Sequence, residues 1–80
     1  MRRKEGLLTQ RIEDGLIIYD PEEDRSFVLN ETAALVWENA ELTESEIARL
    51  LVGEYGIAED QALADAAAFI EELAQMGLLA

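Results

Sequence analysis

The sequence contains no cysteine and no histidine. Without cysteine there is no disulfide, no thiolate nucleophile and no thiolate metal site, and without histidine the usual general base and commonest metal ligand are missing too. Most hydrolase and metalloenzyme readings fall away on that ground. Ser26 and Ser45, the only serines, stand in no nucleophile-elbow pattern and have no histidine to activate them. Positive charge is also scarce, with 6 basic residues against 18 acidic ones and a formal net charge of −12. Arg2, Arg3, Lys4 and Arg11 crowd the amino-terminal end, and no cation follows Arg49. Such a balance disfavours phosphate backbones and anionic membranes. No apolar run approaches transmembrane length, and the amino terminus lacks the apolar stretch of a signal peptide, so a cytoplasmic protein is expected.

What is present is a chain of 80 residues, half of them hydrophobic, which suits one domain (1–80) with one modest core. Residues 7–12, LLTQRI, and 15–20, GLIIYD, read as strands joined in a hairpin by an acidic turn at Glu13 and Asp14, with Gly15 suited to positive φ. Pro21 among acids marks a second turn before the strand SFVL at 26–29. Asn30 is placed to N-cap a first helix from about Glu31 to Asn39. Thr43 and Glu46 have the spacing of a capping box, and the helix they open should end near Tyr55 with Gly56 as a left-handed cap. A third helix is expected from about Glu59 to Met76, ended by Gly77, with Leu63, Ala66, Ala67, Ile70, Leu73 and Ala74 as its apolar stripe. Ala58 is a poor N-cap for it. The pattern predicts an α+β, winged-helix-like fold: a three-stranded antiparallel β-meander followed by three α-helices.

The candidate sites are few. Neighbouring acids such as Glu22, Glu23 and Asp24, or Glu71 and Glu72, read as solvated surface rather than as a metal site. A winged-helix arrangement invites a DNA-binding role, but residues 50–80 carry Glu54, Glu59, Asp60, Asp65, Glu71 and Glu72 without a compensating cation, so the third helix would repel phosphate. Trp37 suits the core. Phe69 falls off the centre of the expected stripe and shares a mixed face with Asp65, Glu72 and Met76 at three- and four-residue spacing, a face that fits either a peptide groove or a widened core.

The segments FVLNETAALVW, EIARLL and EYGIAEDQALADAAAFIEELAQMGLL, in this order and spacing, resemble the PqqD-like family of precursor-peptide recognition elements, from about Gly6 to Leu79. The most specific parts are Leu29-Asn30-Glu31-Thr32 leading into Trp37, and Asp65 with Phe69, Leu73 and Gly77-Leu78-Leu79. The chain departs from the pattern in the short ENAEL loop after Trp37 and in Ala58, where a capping residue is usual.

The resemblance implies a non-catalytic adaptor with no metal and no cofactor. Such a domain binds the leader segment of a ribosomally made precursor peptide and delivers it to a modifying enzyme, for instance a radical SAM enzyme or a lasso-type protease. The leader would add as a strand beside the third strand, within a cleft bounded by the third helix. Arg25, Ser26, Phe27, Val28 and Leu29 would then form the docking edge, and Asp65, Phe69, Glu72, Leu73 and Met76 the helix wall. Phe69 and Met76 would receive apolar leader side chains, Asp65 or Glu72 a polar or cationic one, and Arg25 a carboxylate. The alternatives are a winged-helix regulator contacting nucleic acid and a structural subunit of an enzyme complex.

Overall fold

The computed structural model describes residues 1–80. Three strands, β1 (Leu8–Ile12), β2 (Gly15–Asp20) and β3 (Arg25–Asn30), precede three helices, α1 (Glu31–Glu38), α2 (Glu44–Tyr55) and α3 (Glu59–Gln75). The strands form an antiparallel sheet in the order β1-β2-β3, which leaves β3 at an edge. This is the expected winged-helix-like α+β arrangement.

Register follows from side-chain alternation. Leu16 and Ile18 of β2 point into the core, while Ile17 and Tyr19 turn to the outer face. Opposite them, Leu16 pairs with Leu29 and Ile18 with Phe27, so the inner face of β3 is apolar as well. A slip of one residue would expose Leu16, Ile18 and Leu29 together, and the register is held by that cost.

Gly15 has a different task from the one its place beside an acidic turn suggests. It lies in β2, paired with Ile12, and only Gly6, Gly56 and Gly77 among the glycines have positive φ. A Cβ on Gly15 would sit 1.9 Å from the carbonyl oxygen of Leu29. Close approach of β3, not a left-handed backbone, therefore requires the glycine.

The helix termini follow the local chemistry. The Asn30 side chain accepts from the Ala33 amide at 2.8 Å, which fastens α1 directly to the end of β3. Thr43 and Glu46 form the reciprocal capping box of α2, and Gly56 closes that helix at φ 64°. The helix α3 starts at Ala58 without a side-chain cap and ends in a Schellman turn, in which Leu78 N–H donates to Leu73 and Gly77 N–H to Ala74. Leu73 and Leu78, the apolar pair usual to that motif, are both buried.

The expected stripe of α3 is rotated in the structure. Its buried residues are Ala62, Ala66 and Leu73, with Phe69, Ile70 and Met76 packed beside them, whereas Leu63 is 45% exposed and Ala67 and Ala74 face solvent. Small side chains at 62 and 66 let α3 settle closely against α1 and α2, which a leucine at the same positions would prevent. An alanine-rich helix offers two adjacent rows of apolar residues, and packing selects between them.

Trp37 is a core residue as expected, and its indole Nε1 donates to the carbonyl of Leu78 at 3.0 Å. The same carbonyl accepts from the backbone of Lys4. An isolated bridge between Arg3 and Leu79, and a bond from Ala80 N–H to Arg2, continue this seam between the two ends of the chain.

Candidate functional site

The far edge of β3 has no strand beside it, and every backbone hydrogen bond of residues 25–29 runs to β2. Its remaining N–H and C=O groups are therefore free to pair with another chain. The strand packs against β2 and α1, while α3 stands off from it. Between them lies a cleft of about 210 Å³, lined by Arg25 and Phe27 of β3 and by Gln75, Met76 and Gly77 at the end of α3. An open edge facing an open cleft is the geometry of strand addition, with backbone bonds for affinity and flanking side chains for selection.

The expected site residues fall into four groups. Arg25, Phe27 and Met76 meet around the cleft, where the guanidinium of Arg25 lies 5.0 Å from the centre of the Phe27 ring. Asp65, Phe69 and Glu72 precede Met76 on one flank of α3, at spacings of four, three and four residues, ahead of the end of the helix that lines the cleft. Phe69 and Met76 are half-buried and pack against the core, and Met76 also lines the cleft.

Ser26 and Val28 point to the outer face of the sheet, and Val28 is 69% exposed there. Leu29 and Leu73, each 2% exposed, have side chains wholly in the core. For Leu73 this corrects the expected place in the helix wall: its position on α3 is the centre of the buried row, leaving no surface that a peptide could touch.

Several cleft residues were not legible as such. Lys4, Asp20 and Glu23 line it alongside the residues already named. Asp20 is the one buried charged residue, and its carboxylate accepts from Lys4 Nζ at 2.7 Å and from the amides of Glu22 and Glu23 at 3.0 and 3.3 Å. The hydrogen bond from Lys4 pulls the Asp20 carboxyl below its ordinary pKa, and the turn amides and the ammonium charge reinforce it against the opposing effect of burial. The same bond raises the pKa of Lys4. The sequence signal was present in the Asp20-Pro21 turn, but nothing in the chain order tied it to Lys4. Elsewhere on α3, Gln61 donates to Asp65 at 2.9 Å and orients that carboxylate along the helix.

The charges around the cleft are unevenly placed. Asp65 and Glu72 stand on α3 with no cation on that helix, while Lys4 is engaged by Asp20 and Arg25 rests on Phe27.

A small winged-helix-like domain with an unpaired strand edge beside a cleft has the geometry that addition of a peptide strand requires. The family model of PqqD, coenzyme PQQ synthesis protein D, matches residues 15–79, and the chain belongs to that family. A solved structure described as TbiB1 in complex with the TbiA(beta) leader peptide is similar at TM-score 0.86 and 20% identity, covering 99% of this chain and 94% of the other. A second, lasso peptide synthetase B1 complexed with the leader peptide, is similar at TM-score 0.85 and 23% identity, covering 99% and 95%. These two share the fold with this chain over nearly its full length. No curated protein matches the sequence. No helix is long and apolar enough to cross a membrane.

Proposed function

We propose that this protein is a non-catalytic adaptor that binds the leader segment of a ribosomally made precursor peptide and delivers it to a modifying enzyme. The leader adds as a strand to β3, beside α3, and the chemistry belongs to the partner, for instance a radical SAM enzyme or a lasso-type protease. The observation that carries this reading is the free edge of β3 opening onto the cleft instead of onto a covering element. Membership of the PqqD family and a fold shared with two leader-peptide complexes support it.

Within the cleft, Phe27, Phe69 and Met76 supply apolar contact, and Arg25 meets a leader carboxylate. Asp65 and Glu72 favour a leader with a basic or polar side chain on its helix-facing side, a preference that weakens as salt rises. The uncompensated acids of α3 disfavour the nucleic-acid alternative.

Titration of isotope-labelled protein with synthetic leader segments of candidate precursor peptides tests the reading. Amide shifts are expected at residues 25–30 and along Asp65, Phe69, Glu72 and Met76. Shifts confined to the β1–β2 hairpin would sink the groove, and retention of nucleic acid in a low-salt filter assay would favour the regulator instead.

A further inference from the structure

The amino-terminal arm precedes the residues matched by the family model, yet Lys4 stands inside the cleft. Its ammonium is bonded to Asp20 at 2.7 Å and lies 3.6 Å from Glu22. Its backbone N–H is held by Leu78, and Arg3, its neighbour, both bridges to Leu79 and covers the Trp37 ring at 5.4 Å. The arm is thus fixed at its backbone and reaches the sheet through one side chain.

What that side chain holds is the entry to β3. Asp20 ends β2 and pairs in register with Arg25, the first residue of the docking strand. One carboxylate oxygen of Asp20 takes Lys4, and the other takes the amides of Glu22 and Glu23 in the turn between the strands. That turn closes at Asp24, whose φ of 52° is left-handed, and Tyr19 donates to the Asp24 carboxylate on its outer side. No other cation is bonded to Asp20. Without the ammonium, the buried carboxylate would draw in water or turn outward, and it would carry the two turn amides with it.

We propose that Lys4 is a positioning residue for leader binding: through Asp20 it sets the turn that aims Arg25 and the first free backbone groups of β3 at the incoming peptide. The arm is then a wall of the docking groove, belonging to the site as much as to the fold. This rests on the reading of β3 as the docking edge.

The test uses the full chain and a synthetic leader peptide. Replacement of Lys4 by Met (Lys4→Met) is expected to weaken leader binding by about tenfold, the scale of one charged hydrogen bond in positioning. Lys4→Arg should restore affinity to within about threefold, because a cation again reaches Asp20. Amide exchange should quicken at Glu22, Glu23 and Arg25 and stay unchanged at Ile47 and Leu51 in the core. If Lys4→Met binds within about twofold of the natural protein while its melting temperature falls, Lys4 is only structural and the proposal is wrong. Should Lys4→Met not fold, Asp20→Asn carries the same test, since it keeps an oxygen for the turn amides and loses the charge that holds Lys4. Absence of leader-induced shifts at residues 25–30 in the unmodified protein would remove the docking reading itself. Shifts there combined with equal binding by the variants would remove the role of the arm alone.

Discussion

Gly15 and Leu29 touch backbone to backbone across the β2–β3 pair, so closely that a methyl group on Gly15 would lie 1.9 Å from the Leu29 carbonyl oxygen. The obstacle is backbone, with no flexible side chain to move aside. Gly15→Ala is therefore expected to destabilise the fold by about 3 kcal/mol, as overpacking against fixed atoms does. Urea unfolding followed by Trp37 fluorescence measures it, and a loss below about 0.5 kcal/mol would show that β3 can yield.

The two faces of the docking strand separate side-chain from backbone contributions. Val28 is exposed on the outer face of the sheet, whereas Phe69 is half-buried on α3. Val28→Thr is expected to leave leader affinity within about twofold, and Phe69→Ala to weaken it by about tenfold, because apolar anchors in a groove carry most of the side-chain energy. Isothermal titration with the leader distinguishes the two. Equal effects would mean that the peptide lies on the sheet face and not in the cleft.

The start of α3 is open to improvement. Ala58 occupies the N-cap with extended backbone, φ −66° and ψ 151°, and offers no side-chain acceptor to the first turn. Ala58→Ser should add about 1 kcal/mol, the usual gain from a capping hydroxyl. Thermal melts of the two proteins read the difference directly, and a lower melting temperature for the serine variant would contradict the cap geometry.

The Lys4–Asp20 pair makes stability depend on pH at both extremes. The folded pKa of Asp20 lies below its ordinary 3.8, so its contribution is complete above that value and is lost as pH falls through the lower folded pKa. The folded pKa of Lys4 lies above 10.5, so its contribution is complete below that value and is lost as pH rises through the higher folded pKa. From about pH 5 to pH 10 the pair should contribute a flat plateau. Urea midpoints across this range should show a shallower acid limb for Asp20→Asn and a shallower alkaline limb for Lys4→Met. Relief of the net charge of −12 on acidification acts on natural and variant proteins alike, so the comparison between them isolates the pair.

Local signals carried much of the architecture. The Asn30 cap, the Thr43 and Glu46 capping box and the left-handed Gly56 are each decided by residues a few positions apart, and all three stand where the sequence placed them. The α3 stripe was harder, because adjacent rows of alanine and larger apolar residues satisfy the same helical period. Only the approach of α1 and α2 makes Ala62 and Ala66 the buried row and leaves Leu63 outside. Gly15 was misread for a related reason: its constraint comes from Leu29, a strand away. In the cleft, Arg25, Phe27 and Met76 were legible through family resemblance, whereas Lys4 and Asp20 are joined by contacts no local pattern contains.

The seam between the two ends of the chain has a kinetic meaning. Arg2 with Ala80, Arg3 with Leu79 and Lys4 with Leu78 span nearly the greatest sequence separations the chain allows. Closing so large a loop is entropically unfavourable until sheet and helices already bring both ends together. The seam should therefore be last to form on refolding and first to fray in the native state, while Ile47 and Leu51 stay protected. Because Lys4 lies in that seam, the entrance to β3 would open and close on the timescale of fraying ends, leaving the rest of the domain folded.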